Sequence, residues 1–115
     1  MAKYMKNYSY KKFNRRDTPE YKVWCKAVHK RDRFRCVACG KWCKRYPNAH
    51  HLNGWHWFIA GRYEVRNGVT LCTFKDGCHT LFHKQYGNSK NTEYQFDEFL
   101  RRFFNKTLAD IKLEP

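Results

Sequence analysis

The chain has 115 residues, 42% of them hydrophobic and 18% aromatic, which suits one small domain or one core with a tail. Its 24 Lys and Arg residues against 10 Asp and Glu residues give a formal net charge of +14. That excess favours a polyanionic partner, usually nucleic acid, over a basic surface that only aids solubility. No apolar run approaches the ~18 residues that cross a bilayer, and no apolar stretch follows the basic N-terminus as in a secretory signal.

The composition therefore predicts an intracellular protein that is neither secreted nor bound to a membrane. In a reducing compartment, the six cysteines are expected to bind metal rather than to form disulfides. Three disulfides would be the expectation if the protein were exported.

Two regions are predicted along the chain: a basic arm over residues 1–16 and a single domain over residues 17–115. The arm is rich in Lys, Arg and Tyr, and it suits either contact with phosphates or simple solubilisation. The domain begins with a helix, because Asp17 or Thr18 can cap it and Pro19 suits its first turn. We expect that helix to fade near residues 31–32, with its apolar stripe in the core: Tyr21, Trp24, Cys25 and Val28.

The remaining elements predict an α+β fold. Residues 48–52 and 67–71 are typical of short strands, joined by a long aromatic connection over residues 53–66. Residues 79–86 predict a helix that ends at Gly87. The capping-box pattern at Thr92 then begins an amphipathic C-terminal helix whose apolar face is expected in the core: Phe96, Phe99, Leu100 and Phe103.

Four cysteines are spaced as two pairs of thiolates for one structural zinc ion. Cys36 and Cys39 precede a glycine, which suits a tight knuckle, and Cys72 and Cys78 follow downstream. Cys43 is a spare that could replace one of the four, whereas Cys25 lies on the apolar stripe of the first helix.

Four histidines and an asparagine form a second candidate site. His79 and His83 are four residues apart, so a helix places both imidazoles on one face, where they can share a metal ion. One imidazole of the adjacent pair His50 and His51 can complete the metal site, which leaves the other beside the metal to accept a proton. A metal with a base is the equipment of a metal-assisted hydrolase.

The other two histidines are given no part in this chemistry. His29 is expected on the surface of the first helix, and His56 is expected to have a structural role.

The order of these motifs resembles the HNH endonucleases, and closely the compact phage-type branch of that family. The resemblance covers about residues 20–100 and depends on the combination of motifs: Cys-x-x-Cys-Gly at 36–40, His-His-Leu at 50–52, Asn-Gly-Val-Thr-Leu-Cys at 67–72 and Cys-His-x-x-x-His at 78–83. It implies a small ββα-metal (His-Me finger) core with a four-cysteine zinc knuckle, flanked by an N-terminal helix and a C-terminal amphipathic helix. One departure concerns the second cysteine pair, because five residues separate Cys72 from Cys78 where the family has two.

The resemblance also implies a role for each polar residue of the second site. His51 matches the general base and His50 a metal ligand. Asn67 matches the middle residue of the family name, which positions the loop and the base. His79 matches the final histidine, and His83 an additional ligand on the helix.

The implied activity is divalent-metal-dependent hydrolysis of phosphodiester bonds in DNA, as nicks or double-strand cuts. The implied cofactors are Mg²⁺, Mn²⁺, Ni²⁺ or Zn²⁺ at the catalytic site and a separate structural Zn²⁺. The partner is expected to be double-stranded DNA, with a homodimer or a packaging or replication protein as a further partner; a phage-encoded chain would act in the bacterial cytoplasm. Candidate phosphate contacts are Arg31, Arg33, Arg35 and Arg66.

Two other classes of function compete with the endonuclease. One is a zinc-stabilised nucleic-acid-binding module with a degenerate nuclease site. The other is a small packaging or interaction factor whose basic face binds a protein.

Overall fold

A computed structural model describes residues 18–43, 45 and 47–115 of the chain. The predicted basic arm, residues 1–16, and the candidate cap Asp17 lie outside the described residues. Within them, three α-helices accompany one two-stranded antiparallel sheet, which confirms the α+β class. In chain order the elements are α1 (Pro19–Arg31), β1 (Asn48–His51), β2 (Gly68–Leu71), α2 (Cys78–Tyr86) and α3 (Glu93–Phe104).

Both predicted helix caps are confirmed. At the start of α1 the Thr18 hydroxyl accepts a hydrogen bond from the Tyr21 amide at 3.3 Å. At the start of α3 the capping box is complete, because the Thr92 hydroxyl accepts from the Gln95 amide at 3.2 Å while the Gln95 side chain accepts from the Thr92 amide at 3.1 Å. Local sequence therefore determines where both helices begin.

The sheet pairs His50 with Val69 and His51 with Gly68. Because successive side chains of a strand point to opposite faces, the two adjacent imidazoles diverge. His50 contacts Phe82 of α2 and Phe96 of α3, whereas His51 stacks on Trp24 of α1. The strand pleat thus assigns the two histidines to different surroundings.

Two apolar clusters flank the sheet. The larger joins β2 to α2 and α3, and its fully buried members include Val69, Leu71, Phe82, Phe96, Phe99 and Leu100. The smaller joins α1 to β1 through Trp24, Val28 and Ala49. The prediction that Phe103 is a core residue is wrong: it is 37% exposed and packs with only one side on Phe99, whereas its neighbour Phe104 packs against the core.

The end of α1 is fastened to β2 by a buried ion pair. The Arg31 and Asp32 side chains are 3% and 5% exposed, and Asp32 also accepts a hydrogen bond from the Thr70 amide at 2.9 Å. All five N–H groups of the Arg31 guanidinium are used: two bind the Asp32 carboxylate and three bind the carbonyl oxygens of Val65, Gly68 and Leu113. The prediction that Arg31 contacts phosphate is therefore wrong, because no donor remains for a ligand.

His29 is also misplaced by the sequence prediction. It is buried, not on the surface, and its ring Nδ1 lies 2.8 Å from the Thr70 hydroxyl. The helical period leaves this position at the edge of the apolar stripe, and only the docking of α1 onto β2 covers it.

None of the helices in the described part of the chain has both the length and the apolar character that crossing a bilayer requires.

Candidate metal centres and catalytic cleft

The four predicted zinc ligands come together in one cluster. The sulfur atoms of Cys36, Cys39, Cys72 and Cys78 all lie within 4.8 Å of one another. The first two flank a knuckle in which the Gly40 amide donates to the Cys36 carbonyl at 2.8 Å, and Gly40 has the positive φ of 80° that favours glycine. Four thiolates this close match the donor set of a tetrahedral zinc site.

The acid–base chemistry of the cluster already favours a thiolate. The Cys36 pKa falls to about 5 because the Cys78 thiol donates a hydrogen bond to it, and the same bond raises the Cys78 pKa. The Cys78 amide, at the start of α2, donates a further hydrogen bond to the Cys72 sulfur at 3.2 Å. Negative charge on these sulfurs is what a divalent cation would neutralise.

The long spacing between Cys72 and Cys78 is accommodated by a turn. Gly77 closes it: its amide donates to the Phe74 carbonyl at 2.7 Å, and a Cβ there would lie 2.8 Å from that same oxygen. Any side chain at Gly77 would push the turn open. The five-residue separation therefore does not keep the sulfur atoms apart.

The two remaining cysteines are not part of the cluster. Cys43, the predicted spare, is fully buried with its thiol 3.7 Å from the Lys41 carbonyl, and its pKa rises to about 11, mainly through burial. It does not replace any of the four ligands. Cys25 packs against the Trp24 cluster as predicted.

The second group consists of His50, His79 and His83. One ring nitrogen from each lies within 4.8 Å of the other two. The His83 Nδ1 donates to the Gly87 carbonyl oxygen at 2.8 Å, which leaves the lone pair of the neutral ring on Nε2. The His50 Nε2 is buried and has no hydrogen-bond partner among the described residues, an arrangement that a metal ion would satisfy.

Burial favours the neutral form of His50 and His79. It lowers the His50 pKa well below its usual value and the His79 pKa to about 4, with a smaller contribution from the neighbouring His83 in both cases. A neutral imidazole is the form that binds metal. Because α2 carries Cys78, His79 and His83 within six residues, this one helix links both clusters.

Neighbouring rings and a backbone carbonyl hold His51 on the other face of β1. Its ring stacks on the Trp24 indole at 3.9 Å between centroids and 14° between planes, and the Trp55 ring meets it edge-on at 5.5 Å. Its Nε2 lies 2.9 Å from the Arg62 carbonyl oxygen. Since a carbonyl can only accept, Nε2 carries the hydrogen, and the neutral ring has its lone pair on Nδ1. This is the tautomer that can take up a proton at Nδ1.

Asn67 fixes the loop that follows His51. Its side chain makes two hydrogen bonds with the Asn53 backbone, accepting from the amide at 2.9 Å and donating to the carbonyl at 3.0 Å. Its own carbonyl accepts from the Leu52 amide at 2.8 Å. Asn67 lies in a 3-10 turn just before β2 rather than in the strand itself. It is 4% exposed, so it positions backbone and cannot contact a large substrate.

A cavity of about 530 Å³ opens beside both imidazole groups. Its walls include His51 and all three histidines of the second cluster, and no acidic residue is among the described residues that line it. Lys90 and the exposed His56 also line it. His56, expected to have a structural role, instead faces this cleft.

The three arginines still available as phosphate contacts are exposed but do not line the cleft. Arg66 lies 3.2 Å from the Glu114 carboxylate, and Arg35 donates to the Gly40 carbonyl at 3.3 Å. Arg33 has a positive φ of 55° in the turn after α1. Their use as DNA contacts stays a prediction.

Sequence analysis missed three residues of the site: Trp24 and Arg62, which contact His51 through its ring and its Nε2, and Lys90, which lines the cleft. Trp24 was assigned only to the core. The glycine at position 68 is consistent with the close approach of Trp24 to the sheet. Gly68 pairs with His51, and a Cβ on Gly68 would lie 2.5 Å from the Trp24 ring. Nothing local in the sequence marks the other two.

The fold and both clusters define this chain as a small α+β domain with two groups of residues that could each hold a metal ion, one of cysteines and one of histidines. Comparison with protein-family models, with curated proteins and with solved structures found no match to the chain.

Proposed function

We propose that the protein is a divalent-metal-dependent DNA endonuclease of the HNH type, with β1, β2 and α2 as its ββα-metal motif and the four-cysteine cluster as a structural zinc site. The observation that carries the proposal is the arrangement on β1: His50 joins a three-imidazole cluster while His51, one residue later, opens to the same cleft as a separate base. A protein that only binds nucleic acid has no need of a base beside a metal site.

The three-imidazole cluster fits a metal ion because its buried His50 Nε2 has no other partner among the described residues and because burial lowers the pKa of His50 and of His79, which favours their neutral, metal-binding form. His50, His79 and His83 would hold the cation, which when bound supplies positive charge to stabilise the phosphate and the departing oxygen. The donor set contains imidazole and no carboxylate. Such a set suits Ni²⁺ or Zn²⁺ better than Mg²⁺, which prefers oxygen ligands.

The residues around His51 support its role as general base. A water molecule in the cleft loses a proton to His51 Nδ1, and its oxygen forms a bond to phosphorus as the bond to the 3′ oxygen breaks. The departing oxygen then gains a proton from solvent, which yields 5′-phosphate and 3′-hydroxyl ends. The Arg62 carbonyl holds the ring in the required tautomer, and Trp24 and Asn67 restrict its position.

The absence of carboxylates from the described cleft walls favours an anionic substrate. A phosphodiester in the cleft would lie beside imidazoles and one ammonium group, and no negatively charged side chain of the described walls would repel it. The excess of basic residues in the whole chain acts in the same direction by drawing polyanions towards the surface.

The test is plasmid cleavage with each of Mg²⁺, Mn²⁺, Ni²⁺ and Zn²⁺, using wild type, His51→Ala and His56→Ala. Loss of a general base lowers rates by about 10²- to 10⁴-fold, so His51→Ala should be nearly inactive. His56→Ala removes an exposed imidazole from the same cleft and should retain activity of the wild-type order. Unchanged zinc content and circular dichroism would show that both variants fold.

No nicking by wild type with any of the four cations, or full activity in His51→Ala, would refute the proposal. Salt-dependent DNA binding without cleavage would point instead to the nucleic-acid-binding module. Failure to bind DNA or RNA at low salt would point to the interaction factor.

A further inference from the structure

Lys90 lies in the wall of the cleft that the imidazoles also line, on the loop between α2 and α3. We infer that Lys90 binds a backbone phosphate of the DNA strand that enters the cleft, an inference that rests on the proposed nuclease function. The four arginines predicted from the sequence do not line this cavity, and Lys90 is the only lysine or arginine among the described residues that does.

The ammonium group of Lys90 has no ion-pair or hydrogen-bond partner among the described residues. No acidic side chain of the described cleft walls competes for it. A cation that faces a cleft without a counter-charge attracts an anionic ligand, and a lysine binds phosphate as a compact point charge.

The backbone at Lys90 is in an unfavourable conformation. Its φ is 53°, in the left-handed region that glycine and asparagine adopt far more readily than lysine does. Residues are kept in such conformations when the surrounding structure enforces them, and they concentrate at functional sites. For fold stability alone, glycine would serve better at this position.

The adjacent Asn91 enforces this conformation. Its buried side chain donates to the Gly87 carbonyl at 3.2 Å and to the Gln95 side chain at 3.1 Å. Its carbonyl accepts from the Gly54 amide at 3.0 Å and from the Trp57 indole at 2.8 Å. These bonds tie the Lys90 loop to the loop that follows His51, so the backbone from which the Lys90 side chain extends is held in the cleft wall.

The test measures the affinity of a short duplex DNA as a function of salt, in a His51→Ala background that leaves the DNA intact. Lys90→Gln removes the charge at similar length, Lys90→Arg restores it, and Lys90→Gly relieves the backbone. Lys112→Gln is the matched control, because it removes the same charge from an exposed side chain outside the cleft.

We expect Lys90→Gln to weaken binding about tenfold and to reduce the slope of log affinity against log salt by about 1, as for one lost phosphate contact. Lys90→Arg should bind as the background does. Lys90→Gly should lose affinity like Lys90→Gln while its melting temperature is not lower than that of the background. If Lys90 had only a structural role, lower affinity would be accompanied by lower stability, so lower affinity at undiminished stability indicates a direct contact with DNA.

Equal affinity and equal salt slope for Lys90→Gln and its background would overturn the inference, and so would an equal loss in Lys112→Gln. The result is separable from the nuclease proposal, because binding is measured without cleavage. If wild type cuts DNA but Lys90→Gln binds normally, only the Lys90 contact fails. If Lys90→Gln loses binding but wild type fails to cut DNA with any of the four cations, the nuclease proposal fails and the contact stands.

Discussion

Replacing Cys36 by serine should remove a structural zinc ion and much of the stability of the domain. Cys36 is 1% exposed, and the hydrogen bond that it accepts from the Cys78 thiol lowers its pKa to about 5. A serine hydroxyl in its place stays protonated and is a poor zinc ligand. The change removes one of four ligands with almost no change in volume, so any large effect comes from the metal.

The magnitude follows from what the cluster connects. It joins the knuckle at 36–40 to the end of β2 and to the start of α2, three segments of a small core. Structural zinc in small domains contributes about 10–16 kcal/mol, and loss of the ion removes a free energy of that order. That is as large as the ~5–15 kcal/mol that stabilises a typical domain, so the variant should be unfolded or should melt more than ~10 °C below wild type.

The assay measures bound zinc by elemental analysis and stability by thermal and urea unfolding, with and without a strong chelator. Wild type plus chelator should fall to the level of Cys36→Ser, and the variant should lose little more when chelator is added. Cys25→Ser is the control, since Cys25 is half-buried and outside the cluster. Unchanged zinc content and an unchanged unfolding midpoint in Cys36→Ser would refute the reasoning.

Two other predictions concern positioning and pH. Asn67→Ala loses two part-buried hydrogen bonds to Asn53, so it should cost ~2 kcal/mol of stability. If the proposed nuclease function holds, it should also lower kcat about 10- to 100-fold with little change in metal affinity, because the proposed base His51 would be displaced; wild-type kcat would contradict this. Burial lowers the His29 pKa in the folded state, opposed in part by Asp32. As pH falls below about 6.5, the unfolded chain takes up a proton that folded His29 resists, so stability should decrease. His29→Gln should show a smaller loss between pH 7.5 and 5.5 in urea unfolding; an equal loss would rule out His29 as a source.

The helices and strands were largely predictable because their signals are local. Thr18 and Thr92 cap their helices through side chains that reach only three residues ahead, and Gly87 ends α2 with a φ of 76°. The predicted strands differ from the observed ones only at their ends. Both metal-ligand groups were also predicted, since helical spacing places His79 and His83 on one face and the knuckle places Cys36 beside Cys39.

The errors fall where one element packs on another. Arg31 and His29 look like surface residues of a basic helix, but the docking of α1 on β2 buries both and uses every donor of the guanidinium. Phe103 continues the apolar stripe of α3 but is 37% exposed. Burial at such positions depends on distant segments, which the helical period does not report.

The sequence by itself determined the α+β class, the helix caps, the four-cysteine set and the histidines able to share a metal. Their spacing carries this information because it acts over a few residues. Only the tertiary structure decided that His50 and His51 have different surroundings, that Cys72 and Cys78 meet despite their separation, and that Lys90 faces the cleft. Those outcomes depend on contacts between segments far apart in the chain, which form only when the sheet, the helices and the loops pack together.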